Sequence, residues 1–203
     1  GIGGCSGGRW RLVKQWWVEV QIDVLGGRLK LNVLADSTGE VVHEARESFV
    51  RLFAALGITA VSVDSLVDWI DADDQTVTAY GAEDGQYLMA NPGYRAGNQP
   101  FTTVTELRLI EGMTEGIYQA LRPHVAALPV NGSGLNVNTA TAMVIRSLHE
   151  DLTDAQAASI LARRKEERFE NLQDFLALQE FAGLGLKSVG LGLQTRFFEV
   201  ASR

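Results

Sequence analysis

One stretch of the chain is crowded with carboxylates that could do chemistry. Residues 52–94 contain seven acids and no Lys or Arg, so this stretch alone accounts for a charge equal to the −7 of the whole chain. The acids are Asp64, Asp68, Asp71, Asp73, Asp74, Glu83 and Asp84. Carboxylates this close repel one another unless they are solvated, protonated or neutralised by a cation. The stretch is therefore either a solvated acidic loop or a site for a hard cation such as Ca²⁺, which takes oxygen ligands.

The spacing of these acids is not that of an EF-hand. With Asp71 as the first position, the sixth is Thr76 where the EF-hand has Gly, and the twelfth is Ala82 where it has Glu. A calcium site in this stretch would therefore be built differently.

The motifs of common catalytic sites are incomplete in this sequence. GLGLKSVG has Leu186 before Lys187, where a phosphate-binding loop has Gly, and NGSG has Asn131 in place of the first Gly of a nucleophile elbow. The three histidines lie far apart and lack the spacing of metal ligands; they are His43, His124 and His149. We therefore predict that the protein is not an enzyme.

Composition limits the classes of partner. The chain has 203 residues, 46% hydrophobic residues and a pI near 5.0, as expected for a globular protein without a basic face for nucleic acid. No apolar run approaches the roughly 18 residues that a membrane-spanning helix needs, so we expect a soluble chain. Cys5 is the single cysteine, which excludes an internal disulfide.

The elements that must hold the acidic stretch are predicted from periodicity. Alternating apolar residues predict a strand over 16–24, a second strand over 29–33 joined to it as a hairpin across Gly26 and Gly27, and a closing strand at the C-terminus. Between them, a period of 3.6 predicts a helix over 41–56, ending at Gly57, and several shorter helices. GIGGCSGG, at the start, is left out of this prediction.

Two helical units are predicted within this block. Phe101 and Phe169 begin the same pattern of apolar and acidic residues, 68 positions apart. ALPVNGSG is rich in turn residues and predicts a boundary between the units. The predicted divisions are 1–35 (N-terminal segment and first strands), 36–128 (inserted helical domain with the acidic loop) and 129–203 (second helical part and closing strand).

A nucleic-acid-binding module is the alternative function. NVNTA followed by two helices is reminiscent of helix-hairpin-helix modules, which meet phosphate with a Gly-rich turn. Here the turn is SLHEDLTDAQ, with three acids and no Gly. This difference and the charge of −7 predict no nucleic-acid binding.

Five motifs together resemble one family, the minor pseudopilin K of type II secretion systems. They are SLVDWIDADD, GAEDGQYL, YRAGNQPFTTVTELRLIEGMT, LNVNTATAMVI and FFEV, in order and correctly spaced from about residue 27 to 203. The resemblance implies an α+β fold, in which a pseudopilin scaffold with a small antiparallel sheet carries a large inserted all-helical, SAM-like domain. It also implies a long N-terminal helix that anchors the protein in the inner membrane, and that helix is expected to be largely missing from this chain.

The same resemblance implies the function and the site. The protein would be a non-enzymatic subunit that caps the tip of a periplasmic pseudopilus together with minor pseudopilins I and J. It would take part in export of folded proteins across the outer membrane, and secreted substrates are further candidate partners. The family binds structural calcium, and the residues in the matching motifs are Asp71, Asp73, Glu83, Asp84 and Asn98.

Overall fold

Residues 8–13, 16–36, 38–130 and 133–202 are described by a computed structural model. Its α-helices are α1 (His43–Leu56), α2 (Asp64–Asp68), α3 (Asp84–Tyr87), α4 (Glu115–Leu121), α5 (Ala142–Arg146), α6 (Asp154–Glu166) and α7 (Leu172–Leu176). Its strands are β1 (Gly8–Val13), β2 (Trp16–Val24), β3 (Leu29–Lys30), β4 (Val125–Ala126), β5 (Leu135–Asn136), β6 (Leu191–Gly192) and β7 (Phe198–Ser202). Within these ranges, no helix has both the length and the apolar character needed to cross a membrane.

β2 is the centre of a three-stranded antiparallel sheet. It lies between β1 and β7, and Ile22 is paired with Val200 on the β7 side. The strand over 16–24 and the closing strand are both confirmed. Everything between β2 and β7 forms a mainly helical block, so the prediction of a mixed fold of helices and a small antiparallel sheet is also confirmed.

The predicted hairpin of 16–24 with 29–33 is wrong. β3 covers only Leu29–Lys30 and pairs in parallel with β4, while Leu31–Val33 is a short 3-10 helix. β1, in a stretch for which no strand is predicted, takes the place beside β2. Gly26 and Gly27 are needed for close packing instead of a hairpin turn, since a Cβ at Gly27 would lie 2.3 Å from the carbonyl carbon of Thr139.

The helix boundaries follow the capping signals of the sequence. α1 ends at Gly57, whose φ of 68° is the left-handed conformation that suits glycine. Thr153 begins α6 by accepting a hydrogen bond from the Gln156 N–H, and the Gln156 side chain accepts one from the Thr153 N–H in return. The same box at Thr103 begins Val104–Leu109, which is a 3-10 helix.

The helical block contains two hydrophobic cores, one on either side of residue 130. Phe49, Leu66 and Leu121 belong to the first, and Ile160 and Phe175 to the second. α1 packs against α5 where the two cores meet. The block is not all-helical, because it includes the parallel pairs β3–β4 and β5–β6, whose two-residue strands are too short to show a period.

One asparagine in each core holds the backbone of the phenylalanine that begins the repeated pattern. The Asn32 side chain accepts from the Phe101 N–H at 2.7 Å and donates to the Phe101 carbonyl at 3.0 Å. Asn138 makes the same pair of bonds with Phe169, at 3.0 and 2.9 Å. The two units therefore share a packing device, although the domain divisions at 35/36 and 128/129 remain predictions.

Candidate metal centre

The acidic stretch folds around the C-terminal end of α2. Asp68 is the last residue of α2, and Asp71 lies one turn further along the chain, on the same side. Glu83 immediately precedes α3. Residues 69–83 loop out between the two helices and bring the third carboxylate back to the other two.

Asp68, Asp71 and Glu83 form a compact cluster. One carboxylate oxygen from each lies within 4.8 Å of those of the other two. The residues are 0%, 4% and 4% exposed, respectively. Three carboxylates so close and so deeply buried are costly unless they are protonated or share a cation.

Hydrogen bonds from the loop hold Asp68 in place. One of its oxygens accepts from the Val77 N–H at 2.9 Å and the other from the Ala82 N–H at 2.8 Å. Gly81 allows this close approach, because a Cβ there would lie 1.9 Å from an Asp68 oxygen. Asp68 therefore shapes the loop, and Asp71 and Glu83 are left with free oxygens.

The pKa values of the three carboxyl groups are raised. Burial raises the pKa of Asp68 to about 6, against the opposing effect of the hydrogen bonds from Val77 and Ala82. Burial and then the neighbouring carboxylates raise the pKa of Asp71 to about 7, and the same two causes raise that of Glu83 to about 7. The site thus resists holding three negative charges without a counter-charge.

Several buried oxygens of this region have no hydrogen-bond donor among the described residues. They are one oxygen of Asp71, both carboxylate oxygens of Glu83 and the side-chain oxygen of Asn98. Buried acceptors are normally paired, and an unpaired one costs about 1–3 kcal/mol. Carboxylate and amide oxygens without donors are the ligands that a hard divalent cation prefers. The donor set therefore fits calcium.

The other three predicted ligands, Asp73, Asp84 and Asn98, differ in their exposure and hydrogen bonding. Asp73 is exposed, and its side chain accepts from the Gln75 N–H at 2.7 Å. Asp84 is engaged by an ion pair with Arg95 and by the Ala96 N–H at 2.9 Å. Asn98 has a left-handed φ of 44° and donates to the carbonyl of Asp73 at 3.3 Å, with its own oxygen unpaired.

Asp68 is the member of the cluster that the sequence analysis did not include among the ligands. Its position carries a signal that could have identified it. It lies three residues before Asp71 within an apolar helical pattern, at the spacing that places two side chains on one helix face. An acid on the inward face of such a helix needs a partner inside the protein.

Four aromatic rings from the sequence around the acidic loop pack against one another. The Trp69 ring meets Tyr87 edge-on, with centroids 5.3 Å apart, and stacks with Phe101 at 6.5 Å. Tyr87 also stacks with Tyr94 at 5.3 Å. The buried rings of Trp69, Tyr87 and Phe101 thus belong to the first hydrophobic core, which lies next to the carboxylates along the chain.

Family comparisons match both halves of the helical block. Residues 27–130 match a family model described as type II secretion system (T2SS), protein K, and residues 135–194 match a second model with the same description. The type II secretion system protein K of Pseudomonas aeruginosa is 38% identical over 189 residues, which cover 91% of this chain and 56% of the relative. That of Klebsiella pneumoniae is 34% identical over 155 residues, which cover 72% of this chain and 47% of the relative.

A solved structure matches the fold as a whole. It is a chain of the crystal structure of the GspK–GspI–GspJ complex from the enterotoxigenic Escherichia coli type 2 secretion system, with a TM-score of 0.81 and 25% identity. The match covers 98% of this chain and 72% of that one. The chain thus spans about half the length of the curated relatives above.

Proposed function

Because the chain belongs to the type II secretion system protein K family, we propose that it is the periplasmic part of a non-enzymatic minor pseudopilin. In this proposal it caps the tip of the pseudopilus beside minor pseudopilins I and J, takes part in export of folded proteins, and is anchored in the inner membrane by an N-terminal helix. The GspK–GspI–GspJ composition of the similar crystal structure supports these partners. Both family models describe a secretion protein, and neither supports the nucleic-acid-binding alternative.

The observation that carries the tip assignment is the position of the helical block. The whole block leaves the small sheet from β2 and returns to it through β7. A block that is so large relative to its sheet would occupy the space in which a further subunit would add, which is what a cap requires. We also propose that this block is of the SAM-like type, which its two helical cores support.

One face of the sheet is suited to contact with partners. Val200 and Phe198 of β7 are 64% and 55% exposed, and the Ile22 side chain of β2, paired with Val200, is also exposed. Residues paired across two antiparallel strands point to the same face, so these side chains form a continuous apolar surface. Such surfaces on a sheet are typical of association.

Size-exclusion chromatography of the chain with the periplasmic domains of pseudopilins I and J tests the assembly. At about micromolar concentrations the three should elute together. Val200→Glu should reduce this co-elution, whereas Met89→Glu, at a residue 80% exposed in the loop after α3, should not. Separate elution of the unsubstituted chain would contradict the proposed assembly.

We further propose that the carboxylate cluster binds structural calcium. Asp71, Glu83 and Asn98 would supply the free oxygens, with Asp68 fixing the loop and Asp73 and Asp84 as further ligands from neighbouring positions. A bound divalent ion supplies the positive charge that offsets the buried carboxylates. Calcium would thus join the loop to α2 and α3 as a clamp.

Isothermal titration of EDTA-treated protein measures this binding directly. Calcium chloride should bind with a defined stoichiometry, and magnesium chloride more weakly, because Mg²⁺ is smaller and gives up its water reluctantly. Absence of calcium binding at millimolar concentration would reject the calcium proposal and leave the family assignment, which rests on the sequence comparisons, unchanged.

A further inference from the structure

A second candidate site is a cleft whose lining includes none of the metal-centre residues. Its volume is about 760 Å³, and it lies between α1 and residues 184–191 of the second unit. The half-buried Leu148 and Leu184 contribute apolar walls, and the rim carries Val130 and Val189, which are 61% and 74% exposed. Concave apolar surfaces between two packed units are frequent binding sites.

The charge of this cleft is opposite to that of the chain. Its walls include four basic side chains, while Glu44 is the one acidic residue among the described residues that line it. The basic residues are Arg28, Lys30, Arg51 and Lys187. On a chain with a net charge of −7, this concentration of cations favours an anionic occupant.

Lys30 lacks the counter-charge that a buried ammonium normally has. It is only 9% exposed, and its Nζ donates to the carbonyl of Ser133 and, at 3.1 Å, to the Ser133 hydroxyl. In the part of the chain that the structure describes, no carboxylate lies within ion-pairing distance of it, while Arg51 in the same wall has Glu47 at 3.6 Å. Burial lowers the pKa of Lys30. A buried charge with neutral partners only is costly, and an anion would reduce that cost.

We propose that the cleft between α1 and residues 184–191 is a docking site for an extended segment of another protein, in which acidic side chains alternate with apolar ones. An extended chain places alternate side chains on opposite sides. Its apolar side chains would contact the walls formed by the half-buried Leu148 and Leu184, and its carboxylates would face Lys30 and Lys187. Such a segment would contact both units of the helical block at once.

This site is independent of the proposed tip assembly and of calcium. None of the metal-centre residues or of the exposed residues of the sheet face lines the cleft. Failure of either earlier proposal therefore leaves this one to be decided by its own measurement.

The probe is a fluorescein-labelled synthetic peptide of about nine residues in which Asp and Leu alternate, long enough to cross the cleft when extended. The control peptide has Asn in place of every Asp. Both are titrated with the whole chain, in calcium, and binding is followed by fluorescence anisotropy. The Asp peptide should bind at least about fivefold more tightly than the Asn peptide. Its binding should weaken as the sodium chloride concentration is raised, because salt screens the charges.

Charge-reversal variants show whether binding occurs in the cleft. Lys187→Glu changes an exposed residue of the wall and should weaken binding of the Asp peptide about fivefold or more. Lys165→Glu is the matched control, since Lys165 is an exposed lysine of α6 outside the cleft. Equal weakening by both variants, equal binding of both peptides, or no binding at millimolar protein would overturn the proposal. Lys30→Met, if circular dichroism shows it to be folded, should weaken binding as Lys187→Glu does.

Discussion

Glu83→Gln should stabilise the protein without calcium and should lose that advantage when calcium is present. The pKa of Glu83 is raised from 4.5 to about 7 by burial and by the neighbouring carboxylates. Such a rise means that the ionised group costs the folded chain up to about 3 kcal/mol at a pH well above 7. Glutamine has the same shape and no charge. In EDTA at about pH 8 the variant should therefore gain about 1–3 kcal/mol, a rise in Tm of about 2–12 °C for a chain of this size.

Calcium should remove this advantage. At a hundredfold excess over its Kd, a ligand that binds only the folded state adds about 2.7 kcal/mol. This corresponds to a rise in Tm of about 5–10 °C for the unsubstituted chain. The variant loses a charged ligand with two unpaired oxygens, so calcium should raise its Tm little or not at all.

Thermal unfolding followed by circular dichroism, in EDTA and in calcium, measures both effects on one pair of proteins. Glu170→Gln is the control, because Glu170 is exposed in the second unit and should leave both Tm values unchanged. A variant that melts below the unsubstituted chain in EDTA would show that Glu83 is stabilising without metal. A variant with an unchanged calcium shift would show that Glu83 is not a ligand. Either result refutes the reasoning above.

Three further substitutions test the loop, the repeated device and the contact between the units. Gly81→Ala places a Cβ 1.9 Å from an Asp68 oxygen and should lower the free energy of unfolding in urea by about 1–3 kcal/mol. Gly85→Ala is the control, since a Cβ there meets nothing, and it should not lower that free energy. Asn138→Leu leaves a buried backbone N–H and carbonyl unpaired and should cost about 1–3 kcal/mol by the same assay. His124 of the first unit is hydrogen-bonded to Thr141 of the second, and burial, and next the charge of a nearby arginine, lower its pKa from 6.5. As the pH falls, the unfolded chain therefore takes up this proton at a higher pH than the folded chain does. The free energy of unfolding should fall as the pH falls below about 6.5, and less so in His124→Gln.

The sequence was informative where an element has one buried and one exposed face. β2 and α1 show clean periods of 2 and 3.6 for that reason, and Gly57 marks the end of α1. The two glycines after β2 were misread because a glycine pair between two apolar runs has two physical uses, a tight turn and close backbone packing. Only the tertiary contact between Gly27 and Thr139 distinguishes them.

The candidate site was predictable in place but not in detail. The run of acids without a basic residue identified the loop, because local charge is visible in the sequence. Burial is not visible there, and burial is what separates Asp71 and Glu83 from the exposed Asp73. The spacing of Asp68 from Asp71 indicates a shared helix face, but the amide groups of Val77 and Ala82 that fix Asp68 are brought to it by a turn of the loop, which the sequence does not show.

The aromatic residues explain why this loop would need a cation at all. A solvated acidic loop would spread its carboxylates into water, where their repulsion is weak. Here the rings of Trp69, Tyr87 and Tyr94 pack against one another around the ends of the loop, and Asp71 and Glu83 are buried. The apolar contacts and the charge repulsion therefore oppose each other. A divalent ion between the carboxylates, as proposed, would remove that opposition, and the contacts which bury the loop and the charges which line it would then stabilise the same conformation.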